Sequence, residues 1–145
     1  HISIVRPSNV YGIYQNLNRS QGIIGHAFNC IVSKKPLLLF DDGSIERDFI
    51  HIDDLSAFIL KLLNSKKNSL YEIYNIGSGQ PTPISVIIET AKEYLGSTSN
   101  IKSKEAPEFH KIVQAKDFWM DTTKLNRLGF TREISNDQII QELCQ

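Results

Sequence analysis

The residues best equipped for chemistry in this 145-residue chain fall in three runs and one aromatic position. The run Asp42-Gly43-Ser44-Ile45-Glu46-Arg47-Asp48-Phe49-Ile50-His51-Ile52-Asp53-Asp54-Leu55 sets Arg47 between a glycine-containing turn and a strongly apolar stretch. A guanidinium presents several donors in a rigid fork that matches a phosphate, and it stays charged. The competing use of Arg47 is a surface pair with Glu46 or Asp48, the usual fate of an arginine in a polar loop. The run Arg6-Pro7-Ser8-Asn9-Val10-Tyr11-Gly12 follows a strand-like segment and places Asn9 at its carboxyl end, the edge at which open α/β sheets bind ligands. The Asn9 amide offers a donor and an acceptor to a phosphate or a sugar hydroxyl, or it forms an Asx-turn that shapes the loop. Phe40 closes a short apolar run. Its ring either joins the core or stacks on a pyrimidine base, a contact worth ~1–3 kcal/mol by analogy with single-stranded nucleic-acid binding. The third run, Tyr74-Asn75-Ile76-Gly77-Ser78-Gly79, is an apolar strand pattern closed by a glycine-rich turn.

The elements that must carry these residues are legible from periodicity. Residues 2–5 are nearly all apolar and β-branched, as expected of a parallel strand covered on both faces. Pro7, Asn9 and Gly12 break that strand into a loop. Ile23, Ile24, Ala27, Phe28 and Ile31 mark one helix face, and Leu55, Phe58, Ile59, Leu62 and Leu63 another, capped by Asp53 or Asp54. Residues 37–40, 48–52 and 71–76 read as extended, with a turn at Asp41-Asp42-Gly43. Thr82 and Pro83 suit the N-cap and first position of a helix with Ile84, Ile87, Ile88, Ala91 and Leu95 inward, stopped by Gly96. A polar segment with weak strand character, residues 100–116, precedes a short helix capped by Asp121. A last helix opens on Ser135-Asn136-Asp137-Gln138 with Ile139, Ile140 and Leu143 inward. Alternating strands and helices define an α/β class. The chain opens on His1 and passes at once into a strand, which reads as a fragment.

Bulk properties narrow the partners. Sixteen basic residues balance sixteen acidic ones, so no long-range field favours nucleic acid or an anionic membrane. No apolar run is long enough to span a bilayer, and no signal-peptide pattern is present. Cys30 and Cys144 match no zinc or redox spacing, so unpaired thiols and a cytoplasmic location are expected. His51 with Asp53 and Asp54 fits a helix start better than a metal site, and Phe118-Trp119-Met120 is expected to serve packing rather than a cofactor box. Gly77-Ser78-Gly79 lacks the third glycine and the distant acid of a dinucleotide loop.

Taken in order, the three runs closely resemble the second half of the extended short-chain dehydrogenase/reductases, in their NAD-dependent nucleotide-sugar epimerase and dehydratase branch, over essentially the whole chain. The resemblance implies an α/β fragment comprising the end of a Rossmann-type parallel sheet plus a small mixed substrate-binding lobe, with the dinucleotide-binding half lying upstream. It implies that Pro7 and Ser8 line the nicotinamide of NAD. It also implies that Asn9, Gln21, Gly22, Arg47 and Lys111 hold the diphosphate of a UDP-sugar or related nucleotide sugar, while Phe40 contacts the base. Gly25 stands where many relatives have proline, and Lys111 stands where an arginine is usual. The Arg6-to-Gly12 run, with Gln15, Arg19, Gln21 and Gly22, looks most like bacterial UDP-hexose 4-epimerases of surface-polysaccharide clusters. A 4,6-dehydratase, a 4-keto-reductase or a non-catalytic nucleotide-sugar-binding module are the alternatives. The family's catalytic Tyr-x-x-x-Lys pair does not occur in this chain, so no catalytic residue is expected here and the chain alone is expected to be inactive. Because the family dimerises through helices of the other half, the resemblance implies a homodimer for the full-length protein and a monomer for the fragment.

Overall fold

Tyr71–Ile76 (β6) runs parallel to Ile2–Pro7 (β1), with Ile2 opposite Tyr71 and Pro7 opposite Ile76. This computed structural model describes residues 1–12, 14–15, 22–65, 69–109, 117–132, 138 and 141. Two further strand pairs are parallel: Asn9–Tyr11 (β2) with Phe49–His51 (β5), and Leu37–Phe40 (β3) with Ile101–Lys104 (β8). Glu46–Arg47 (β4) and Thr82–Pro83 (β7) pair antiparallel. The helices are Ile23–Val32 (α1), Ile52–Asn64 (α2), Ile84–Tyr94 (α3) and the short Thr123–Arg127 (α4). Strands and helices alternate in an α/β arrangement of parallel pairs with one small antiparallel addition, the class expected from the sequence.

Two apolar cores form. Ile24, Ala27, Phe28 and Ile31 of α1 meet Leu37 and Leu39 of β3 and Ile87, Ile88 and Ala91 of α3. The second core joins Phe58 and Leu62 of α2 to Tyr74 and Ile76 of β6 and to Leu125 of α4.

Several local expectations are corrected. Ile2 and Ile4 remain 62% and 36% exposed, so β1 is not covered on both faces. Asn9 leaves the loop expected after Pro7, because its backbone and the next two residues find a parallel partner in β5. Helix α2 starts one residue before Asp53. Its cap is His51, whose Nδ1 accepts the Asp53 N–H at 3.2 Å, so neither aspartate occupies the cap position. Ile59 and Leu63 of α2 are exposed, because the buried stripe narrows to Leu55, Phe58 and Leu62. Thr82 and Pro83 are drawn into β7, which leaves Pro83 as the extended residue preceding α3. Phe118 and Trp119 are about half exposed. Their segment is held by its backbone instead, the Phe118 N–H donating to the Glu46 carbonyl at 3.2 Å. The helix expected from Ser135 lies outside the described residues.

Candidate functional site

A single acidic residue organises the backbone around the site. Asp48 follows β4 and is fully buried. Its Oδ1 accepts the Ser78 N–H at 2.7 Å and the Ser78 hydroxyl at 2.8 Å. Its Oδ2 accepts the Gly79 and Met120 N–H groups, each at 3.0 Å. A carboxylate with four donors is well compensated for burial. Gly77 is required by this arrangement: a Cβ there would collide with the Asp48 carboxylate and lie 2.9 Å from Met120 Cγ. Asp48 is therefore not a partner for Arg47, and one of the two surface pairs considered for that arginine is absent.

The Asp48 carbonyl does a second job. It accepts both the Asn9 N–H at 3.1 Å and the Asn9 Nδ2–H at 2.9 Å. These two bonds fix the Asn9 amide plane beside β4. Arg47 is half-buried, and its Nη1 donates to the Glu46 carbonyl at 2.8 Å. Burial pulls the pKa of the Arg47 guanidinium below its ordinary value, and the charge of Asp117 opposes that shift. An arginine remains a cation at neutral pH even so.

Asn9, Gly22, Phe40 and Arg47 all line one cavity of about 540 Å³. Gly22 sits at the start of α1 with φ +95°, a conformation costly for other residues, and a Cβ there would strike Gln15. Among the described residues helix α1 has no side-chain cap and no acid in its first turn, and a helix N-terminus offers N–H groups to an anion. The rest of the wall includes Leu38, Ile45 and Ile84. Phe40 ends β3 partly buried at this wall, outside both apolar cores.

Sequence reasoning missed His26, which also lines the cavity. Its signal was its position four residues after Gly22, which places it one turn in on the same helix face. Pro7 and Ser8 are not among the cavity residues. They close β1, where the Ser8 N–H donates to the Ile76 carbonyl at 2.8 Å and the buried Ser8 Oγ has no partner among the described residues. Gln21 and Lys111 lie outside the described residues. Among the described residues no cluster of His, Cys, Asp or Glu could hold a metal ion, and no helix is long and apolar enough to cross a membrane. Cys30 is a buried free thiol, and Cys144 lies outside the described residues.

Asn9 at the start of β2, Gly22 at the start of α1 and Arg47 of β4 thus meet at one cavity of an α/β fold. Residues 1–77, just over half of the chain, match the NAD dependent epimerase/dehydratase family, and the chain belongs to that family. It is 34% identical over 139 residues to UDP-glucuronate 4-epimerase of Thermodesulfobacterium geofontis, covering 94% of this chain and 40% of that protein. It is 30% identical over 135 residues to a putative UDP-glucose 4-epimerase of Methanocaldococcus jannaschii, covering 91% of this chain and 41% of the relative. Among solved structures, UDP-glucuronic acid 4-epimerase from Bacillus cereus, in complex with UDP-glucuronic acid and NAD, aligns with a TM-score of 0.83 at 26% identity. That alignment covers 98% of this chain and 43% of the epimerase. The UDP-glucose 4-epimerase of Thermotoga maritima shares the fold with a TM-score of 0.86 at 22% identity, over 98% of this chain and 44% of its own. The chain thus spans less than half the length of these relatives.

Proposed function

We propose that the chain is the nucleotide-sugar-binding portion of an NAD-dependent UDP-sugar 4-epimerase that serves surface-polysaccharide sugar synthesis. The observation that carries this reading is the convergence of Asn9, Gly22, Phe40 and Arg47 on one cavity that no acidic residue lines among those described. Arg47 grips the diphosphate as a fork, and Asn9, held by the Asp48 carbonyl, presents its remaining amide capacity to the same group. Gly22 admits the phosphate to the uncapped start of α1. Phe40 and Ile84 supply the apolar wall for the base. Gln21 and Lys111 belong to the same proposed set on the strength of the sequence resemblance.

The residues at the end of β1 fit the edge of a nicotinamide: Pro7 is exposed, and the buried Ser8 hydroxyl has hydrogen-bonding capacity to spare. NAD, when bound, supplies reversible hydride acceptance. The role of this chain's residues is to hold the nucleotide end of the substrate, so that its remote binding energy orients the sugar while C4 is oxidised to a transient ketone and reduced again. Proton transfer is assigned to a Tyr-x-x-x-Lys pair elsewhere in the full-length protein, since no tyrosine here is followed by lysine at the fourth position. A keto-reductase is the second reading. It is favoured by 34% identity over 87 residues to dTDP-4-dehydro-6-deoxyglucose reductase of Escherichia coli.

Calorimetric titration of UDP-glucose, UDP and uridine into the intact protein tests this reading. UDP-glucose and UDP are expected to bind with similar affinity, and uridine at least ~10-fold more weakly because it lacks the phosphates, a difference of about 1.4 kcal/mol. Uridine binding as tightly as UDP, or no binding of any of the three, would overturn it.

A further inference from the structure

Helix α1 carries a titratable side chain into the cavity that the family reading leaves without a role. His26 is half-buried on the second turn of α1, its N–H donating to the Gly22 carbonyl at 3.1 Å. Its ring contacts Cys30 one turn further on, Nε2 lying 3.8 Å from Sγ. Cys30 is itself buried, so this contact holds the imidazole against the helix at the cavity wall.

Charge is sparse there. Among the described residues lining the cavity, His26 and Arg47 are the two that can be cationic, and none is acidic. The elements packed around α1 present apolar side chains to it: Leu37 and Leu39 from β3, and Ile84, Ile87, Ile88 and Ala91 from α3. Asp117, whose charge acts on Arg47, does not line the cavity. A dianionic ligand in this cavity is therefore met by one permanent positive charge, Arg47, and by a histidine, whose charge depends on pH.

We propose that His26 is a second cationic contact for the diphosphate, so that affinity for the nucleotide sugar is gated by the protonation of this imidazole. The inference rests on the reading of the cavity as a nucleotide-sugar site. Its sign follows from linkage. A ligand that prefers the protonated ring raises the ring's pKa in the complex. The gain in affinity is full below the pKa of the free protein and is lost as pH rises through that of the complex.

The test uses UDP-glucose, because both of its phosphates are esterified and neither gains a proton near neutrality. Its affinity for the intact protein is measured by calorimetry at about pH 5.5 and about pH 8.5, on either side of the ordinary histidine value of about 6.5. The wild type is expected to bind about ten-fold more tightly at the lower pH. His26→Gln should hold the weaker affinity at both pH values, and His26→Lys the tighter one. Wild-type affinity that does not change with pH overturns the role of His26, and so does a pH dependence that survives in His26→Gln. In either case binding of UDP-glucose itself leaves the nucleotide-sugar reading standing. Absence of binding to the wild type at both pH values overturns that reading and this inference with it.

Discussion

The two cores of this chain are finished to different degrees. Around α1, β3 and α3, Phe28, Ile31, Leu37, Ile88 and Ala91 are essentially removed from water, and the cavity opens at the margin of that packing. Around β1, β6 and α2, Phe58 and Ile76 are equally buried, yet Ile2, Leu60 and Leu63 stand 62%, 61% and 69% exposed nearby. The first region holds the candidate site and also leaves Val32, Leu38, Val86 and Tyr94 exposed, fewer large apolar side chains than stand exposed on β1, α2 and β6. The second leaves one flank uncovered, which is what the proposal of a longer protein, packing further chain against this flank, requires. The difference bears on the proposal: the candidate cavity lies at the margin of the first core, while the second core carries more exposed apolar surface.

The largest effect is expected where the two regions meet, at Asp48. Its carboxylate ties the loop after β6 and the segment before α4 to β4, while its carbonyl sets Asn9. Asp48→Ala leaves these donors buried without an acceptor, and a loss of ~3–5 kcal/mol in unfolding free energy is expected from such a broken buried network. Urea denaturation of the intact protein measures it. A loss below ~1 kcal/mol, smaller than that of a typical point substitution, would mean that the regions are joined by something other than this carboxylate. The smallest effect is expected on the uncovered flank of α2. Leu63→Ser removes a side chain that is already 69% exposed, so stability of the isolated 145-residue chain should change by no more than ~0.5 kcal/mol. A loss well beyond that would show Leu63 packed in solution and would erase the contrast between the regions.

Much of this architecture was legible because apolar spacing fixes which face of an element is buried. The stripes of α1 and α3 and the strands at residues 37–40 and 71–76 follow directly from it. Two-residue strands such as β4 and β7 carry too few side chains to show a period, and they form only because tertiary neighbours bring them together. The roles of Asp48 and His51 were hidden for a related reason. A buried carboxylate is chosen by donors that arrive from distant segments, and the His51 cap replaced aspartates that propensity favours. Of the site, Asn9, Gly22, Phe40 and Arg47 were identified from motif order, and the structure brings them to one cavity. His26 was not, since a histidine within a helical apolar pattern does not stand out, and only its place four residues after Gly22 pointed to the cavity.

The central claim is that Arg47 grips a nucleotide diphosphate in this cavity. The direct measurement is calorimetric titration of UDP into the intact wild-type protein, Arg47→Ala and Arg47→Lys, with folding checked by thermal unfolding. Losing one member of a desolvated charge-assisted pair costs ~2–5 kcal/mol, part of it from the phosphate left unpaired. The low end corresponds to about thirty-fold weaker binding. Arg47→Ala should show at least that loss for UDP and UDP-glucose alike, because the contact is to phosphate, and Arg47→Lys should recover only part of it, a point charge replacing a fork. Unchanged UDP affinity in folded Arg47→Ala would contradict the account and leave Arg47 a structural residue of β4.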